Sequence, residues 1–73
     1  MKHTVAAELV GNVAQVAVAV GDGVDETTIL VLLESMKMEI PVLAEVAGVV
    51  VEVAVAAGDV VTEGDTIAVI ETA

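Results

Sequence analysis

The chain has 73 residues, with twelve Asp and Glu against two lysines, no arginine and a formal net charge of −10. So acidic a balance excludes a nucleic-acid binder that neutralises phosphates, and the absence of Cys excludes a disulfide framework and a Cys-based zinc site. An apolar fraction of 58% excludes a disordered acidic tail.

Taken in chain order, the sequence reads as short strands between turns. A first strand is expected near Thr4–Glu8. Val13–Val20 follows, with Val16, Val18 and Val20 alternating with Ala17 and Ala19, a period-two pattern of β-branched residues. Gly21-Asp22-Gly23 punctuates its end. Ile29–Leu33 is a compact apolar strand closed by Glu34. After Ser35-Met36-Lys37-Met38-Glu39, a strand is expected near Pro41–Glu45, with Pro41 at a strand start or sheet edge because it cannot donate to a ladder. Val49–Val55 alternates again and ends at Gly58-Asp59. Gly64-Asp65 marks a last turn before Ile67–Ile70 and Glu71.

The order of elements repeats. Aligned at a shift of 37 positions, Val5 to Glu34 matches Val42 to Glu71 without a gap, and 14 of those 30 pairs are identical. Valine, about a quarter of the chain, inflates such a count, so the rarer matches decide it. Glu8 aligns with Glu45, Gly11 with Gly48, Gly21-Asp22 with Gly58-Asp59, Glu26 with Glu63 and Glu34 with Glu71. We read an internal duplication, with units of about 1–36 and 38–73 in one domain. Four short strands per unit, regularly spaced, predict an all-β sandwich or flattened barrel. A helical hairpin is the alternative, disfavoured by the valine density and the Gly-Asp punctuation.

Mean hydropathy is high, +0.97. However, a spanning helix needs about 20 consecutive apolar residues, and Gly, polar or charged residues interrupt every candidate run. With Glu8 breaking the apolar stretch after Lys2 and His3, no signal peptide is expected either. A soluble cytoplasmic protein follows. His3 has no Cys or second His beside it, so no metal site is expected. Nor do the scattered carboxylates have a His or hydroxyl partner pattern for catalysis.

Lys37 is the central residue of the chain and the junction of the two units. Symmetry calls for a tight hairpin with Lys37 at its tip. Turn chemistry argues against one, because Met36-Lys37-Met38 contains no Gly, Asn or Asp. Such conflicts between levels are expected at functional sites. A lysine is ordinarily a solvated charge that discourages edge pairing. Here that reading must also explain the central placement, the flanking methionines and the scarcity of other cations. A presented lysine is instead a natural site for covalent attachment, and methionine is adaptable at recognition surfaces.

The stretch Glu34-Ser35-Met36-Lys37-Met38-Glu39 resembles the target motif of the biotin/lipoyl attachment domain family in its biotin-carrier form. The following Gly48-x-Val50…Gly58-Asp59-x-Val61-x-x-Gly64-Asp65…Ile67…Ile70-Glu71 is similar to the family's second half. The resemblance, to a small stand-alone biotinyl domain, covers essentially the whole chain. It implies a flattened barrel of two four-stranded antiparallel sheets with an internal pseudo-two-fold (a barrel-sandwich hybrid, or hammerhead), with the lysine on an exposed hairpin and both termini at the opposite end. Lipoyl domains usually carry an acidic residue immediately before the lysine, where this chain has Met36, so the resemblance favours biotin. Ala7-Glu8-Leu9-Val10-Gly11 departs from the family by lacking an Ala-Pro-Met run, and Thr27 stands where the repeat would place a match for Gly64. The gapless repeat leaves no room for the thumb insert of some biotin domains, which implies a mobile arm.

The resemblance further implies what the chain does. Lys37 would be the covalent biotin attachment site. Met36, Met38, Glu34 and Glu39 would be read by a biotin protein ligase, which uses ATP to form the amide. A biotin carboxylase would then load the biotin with a carboxyl group from bicarbonate. A carboxyltransferase would pass that group to an acceptor such as an acyl-CoA. The domain itself would have no catalytic residues and would act as a monomeric group carrier, with no nucleic-acid or membrane partner. A lipoyl carrier and an unmodified hammerhead interaction module are the alternatives.

Overall fold

Alternating β-branched residues favour extended chain, and the computed structural model, which describes residues 1–73, has eight strands and no helix. They are β1 (Lys2–Ala6), β2 (Gly11–Val16), β3 (Gly23–Val24), β4 (Ile29–Ser35), β5 (Met38–Leu43), β6 (Gly48–Val53), β7 (Val60–Val61) and β8 (Thr66–Glu71). One sheet has the order β1-β8-β6-β3 and the other β5-β4-β2-β7, and all pairings are antiparallel. The two-sheet all-β architecture expected from the sequence is the one observed. A shift of 37 positions carries each of the first four strands onto one of the last four, and one sheet order onto the other.

Strand limits differ from the pattern-based ones for identifiable reasons. The first strand of each half begins earlier than Thr4 or Pro41, because backbone pairing takes in residues whose side chains carry no alternation: Lys2 faces Glu71, and Met38 faces Ser35. Pro41 therefore sits inside β5, which is tolerated because β5 is an edge strand. The alternating run Val13–Val20 leaves the ladder after Val16. Ala17 still donates to the Leu30 carbonyl at 2.8 Å, and the chain then folds into a turn in which the Asp22 carboxylate accepts the Ala19 N–H. Asp59 and Ala56 repeat that turn in the second half. Gly21 and Gly58 supply its left-handed residue, at φ 99° and 96°.

Paired irregularities shape the core. Register shifts bracket Ala14 and Leu30 in one sheet, and their matches Val51 and Ile67 in the other. A bulge turns two successive residues to one face, so Leu30 with Val31, and Ile67 with Ala68, are all buried. Thirteen apolar residues form a single cluster, and no polar side chain is buried. Twelve of them are matched pairs across the 37-residue shift, such as Val13 with Val50 and Leu33 with Ile70.

The body measures 36 × 18 × 17 Å. β1 starts beside Glu71 near both termini, and the segment after it brings Leu9 and Val10 beside Met36. The β4–β5 hairpin and the termini are therefore at opposite ends. No helix is long and apolar enough to cross a membrane.

Candidate attachment site at the β4–β5 hairpin

β4 and β5 pair from Ile29↔Leu43 to Ser35↔Met38, leaving Met36 and Lys37 as a two-residue connection. Both have positive φ, 52° and 64°. That is the pattern of a type I′ hairpin turn, whose twist matches the strands it joins. Left-handed backbone costs an ordinary L-residue roughly 1–2 kcal/mol, and neither residue is Gly or Asn. The register on either side imposes the turn against local preference, which resolves the conflict between symmetry and turn propensity in favour of the hairpin.

The turn exposes what it carries. Met36 is 94% exposed, Met38 is 61% exposed, and Lys37 is exposed at the tip. The ion pairs of the structure are Met1 ammonium with Glu71 at 2.8 Å and His3 with Glu45 at 3.4 Å, so the Lys37 amine is in neither. One step down the hairpin, Glu34 and Glu39 face each other on adjacent strands, both exposed. Like charges directly opposite are unfavourable, and the covalent turn keeps them together. The structure thus gathers all five residues singled out in the sequence, Glu34, Met36, Lys37, Met38 and Glu39, within one hairpin. A free primary amine on an exposed turn fits covalent acylation, which needs an accessible nucleophile and room around it.

Other residues meet here that motif reading did not single out. Leu9 and Val10, from the segment between β1 and β2, and Ile40 on β5 join Ser35, Met36 and Met38 around an open apolar groove of about 550 Å³. Gly11 lets this segment approach: a Cβ there would lie 2.9 Å from the Glu34 carbonyl oxygen. The available signal was a comparison of the two units, which gives Val46, Ala47 and His3 as the matches of Leu9, Val10 and Ile40.

Two flattened four-stranded sheets presenting one lysine on a hairpin define a small β domain suited to holding a group covalently. Residues 1–70 match the family described as biotin-requiring enzyme, the biotin/lipoyl attachment domain, and the chain belongs to it. It is a biotinyl domain by family and by fold. Biotinylated protein TB7.3 of Mycobacterium tuberculosis is 59% identical over 43 residues, which are 59% of this chain and 61% of that protein. The urea carboxylase of Kluyveromyces lactis contains a region that superposes with a TM-score of 0.91 at 32% identity, covering 97% of this chain and 6% of the carboxylase. A single-chain, multi-domain long-chain acyl-CoA carboxylase gives 0.87 at 37% identity over 93% of this chain and 7% of its own. Domains of this kind are the carrier parts of carboxylases and are not themselves catalytic.

Proposed function

We propose that residues 1–73 act as a single biotinyl domain and carboxyl carrier, with biotin joined by an amide to Lys37. In this reading the chain shuttles an activated carboxyl group between a biotin carboxylase and a carboxyltransferase, the pair serving an acyl-CoA carboxylase. The observation that carries it is the position of Lys37: exposed, outside any ion pair, and held at the tip of the one hairpin joining the two halves.

The chemistry divides between the chain and its partners. Lys37 Nζ attacks the carboxyl carbon of biotin, activated by the ligase with ATP. A C–N bond forms, the activating group leaves with its electron pair, and the nitrogen gives up a proton. No side chain is paired with the Lys37 amine, so the ligase takes that proton. Amide formation removes one positive charge, so −10 becomes −11. Bound biotin would supply the ureido nitrogen that holds the carboxyl group. The chain itself tethers that nitrogen and raises its effective concentration at both partner sites. Met36, Met38, Glu34 and Glu39 form the surface that the ligase reads. The carrier works as a monomer in the cytoplasm, where acidic charge limits self-association.

Intact mass tests this reading. Protein made in cells with biotin protein ligase should gain one biotinyl increment, and Lys37→Ala should abolish it. A lipoyl increment would transfer the site to a lipoyl carrier. An unmodified chain would leave a hammerhead interaction module.

A further inference from the structure

The groove beside the hairpin is lopsided in a way that folding does not require. The 37-residue shift gives each groove position a match at the terminus end, so stability alone would place similar residues at both. Leu9 is matched by Val46, Val10 by Ala47, Ile40 by His3 and Met36 by Ala73, while Met38 matches Met1 and Ser35, matched by Thr72, runs the other way. At four of the six groove positions the lysine end carries the larger or more apolar side chain. Val10 is 59% exposed, Met36 94% and Met38 61%, so this apolar surface faces solvent. Single exposed apolar residues need no explanation, but a contiguous patch around a groove marks a contact surface.

Its position narrows what could cover it. The groove lies on the flank formed by Leu9 and Val10, directly against the turn that holds Lys37. A protein that forms a bond at Lys37 Nζ must bring its own surface against the tip, and an approach on this flank covers the groove. Glu34 and Glu39, paired across the hairpin, are exposed on the strand face opposite Ser35, Met38 and Ile40, so a partner closing over the tip meets the apolar groove on one face and the carboxylates on the other.

We propose that the Leu9–Val10 segment, with Ile40, is a second recognition element for the enzyme that acylates Lys37. This rests on the carrier reading above and adds to it the direction of approach and the partner's chemistry. The partner presents an apolar projection to the groove, and basic side chains to Glu34 and Glu39 on the other face of the hairpin. Val10 is the specificity-determining contact, because it is exposed and belongs to neither strand of the hairpin.

The test is ligase-catalysed biotinylation of Val10→Asp, with Val10→Ile as the conservative variant and Ala47→Asp as the matched change at the other end. Val10→Asp should lose about tenfold or more in kcat/KM, mainly through KM, the size of a central interface contact. Val10→Ile and Ala47→Asp should stay near the wild type. Labelling of Lys37 by a biotin N-hydroxysuccinimide ester, read by peptide mass, should be equal in all four proteins, since a small reagent needs no docking. Unequal chemical labelling, or an equal loss in Ala47→Asp, would overturn the proposal by tracing the effect to the fold. So would an unchanged Val10→Asp rate in a wild type that is biotinylated normally, which sinks the docking surface and leaves the carrier reading intact. A wild type that takes no biotin fails the carrier reading itself. A wild-type dimer lost in Val10→Asp with acylation unchanged would assign the groove to a second copy and also overturn the proposal.

Discussion

The lysine end and the terminus end are built from matched positions, yet they hold themselves together by different means. At the lysine end, β4 and β5 are joined by Met36 and Lys37, and Glu34 faces Glu39. At the other end, β8 and β1 meet without a turn. There Glu71, the match of Glu34, faces Lys2, the match of Glu39, and accepts the Met1 ammonium at 2.8 Å. Thr72 adds a backbone donation to the Met1 carbonyl at 2.7 Å and a hydroxyl donation at 3.0 Å. Attraction is placed where covalent continuity is missing, and repulsion is tolerated where a turn supplies it. Freed from holding the strands together, side chains at the lysine end can serve a partner.

Steric change gives the largest expected effect and separates the two ends. Gly11 and Gly48 are matched, and each lets a neighbouring carbonyl come close. At Gly11 an added Cβ meets the Glu34 carbonyl oxygen at 2.9 Å, while at Gly48 it runs well inside contact distance of the Glu71 carbonyl and also presses on Ile70. Ile70 is wholly buried. Gly48→Ala should therefore cost about 2–3 kcal/mol in urea unfolding, and Gly11→Ala about 1 kcal/mol, within the range for overpacked sites. Equal costs would mean that the two ends yield alike.

The next effect is smaller and has the opposite sign. Met36 is left-handed at φ 52° in a turn that prefers Asn. Met36→Asn should raise stability by about 0.5–1 kcal/mol, part of the penalty for an L-residue in that region. It should also slow ligase-catalysed biotinylation, because it removes an apolar wall of the groove. A gain in the urea midpoint together with a loss in modification rate would identify the strained turn as kept for function. A variant both less stable and fully modified would contradict that account.

That turn also marks where sequence reading worked and where it stopped. The all-β fold was legible because the repeat and the valine alternation are side-chain signals, but the alternation did not mark the core face: Val50 is buried, while its neighbours Val49 and Val51 are exposed. The bulges at Leu30 and Ile67 were not legible, since two adjacent buried residues look like any apolar run. The two-residue strands Gly23–Val24 and Val60–Val61 carry too little pattern to be located. Lys37 stood out by its central position, but its backbone conformation did not, because long-range register overrode local propensity. Leu9, Val10 and Ile40 were invisible as a set. They come from separate segments, and only folding shows that they border one groove.

Acid should distinguish the ends with the smallest effect. The Glu71 carboxyl is held below its usual range, first by the hydrogen bond from the Met1 ammonium and then by the attraction between those charges. Because the folded-state pKa is the lower one, the stabilisation is fully present above the unfolded value, near 4.3. It is lost as pH falls through the folded value. Glu71→Gln should therefore lower the thermal midpoint at neutral pH, and the gap from the wild type should close on acidification below about pH 4. Added salt should narrow the same gap at neutral pH, since the pair is exposed and screened. A gap that widens toward acid would show that the carboxylate is not what holds β8 to β1, leaving Thr72 and the backbone ladder to close the end that lacks a turn.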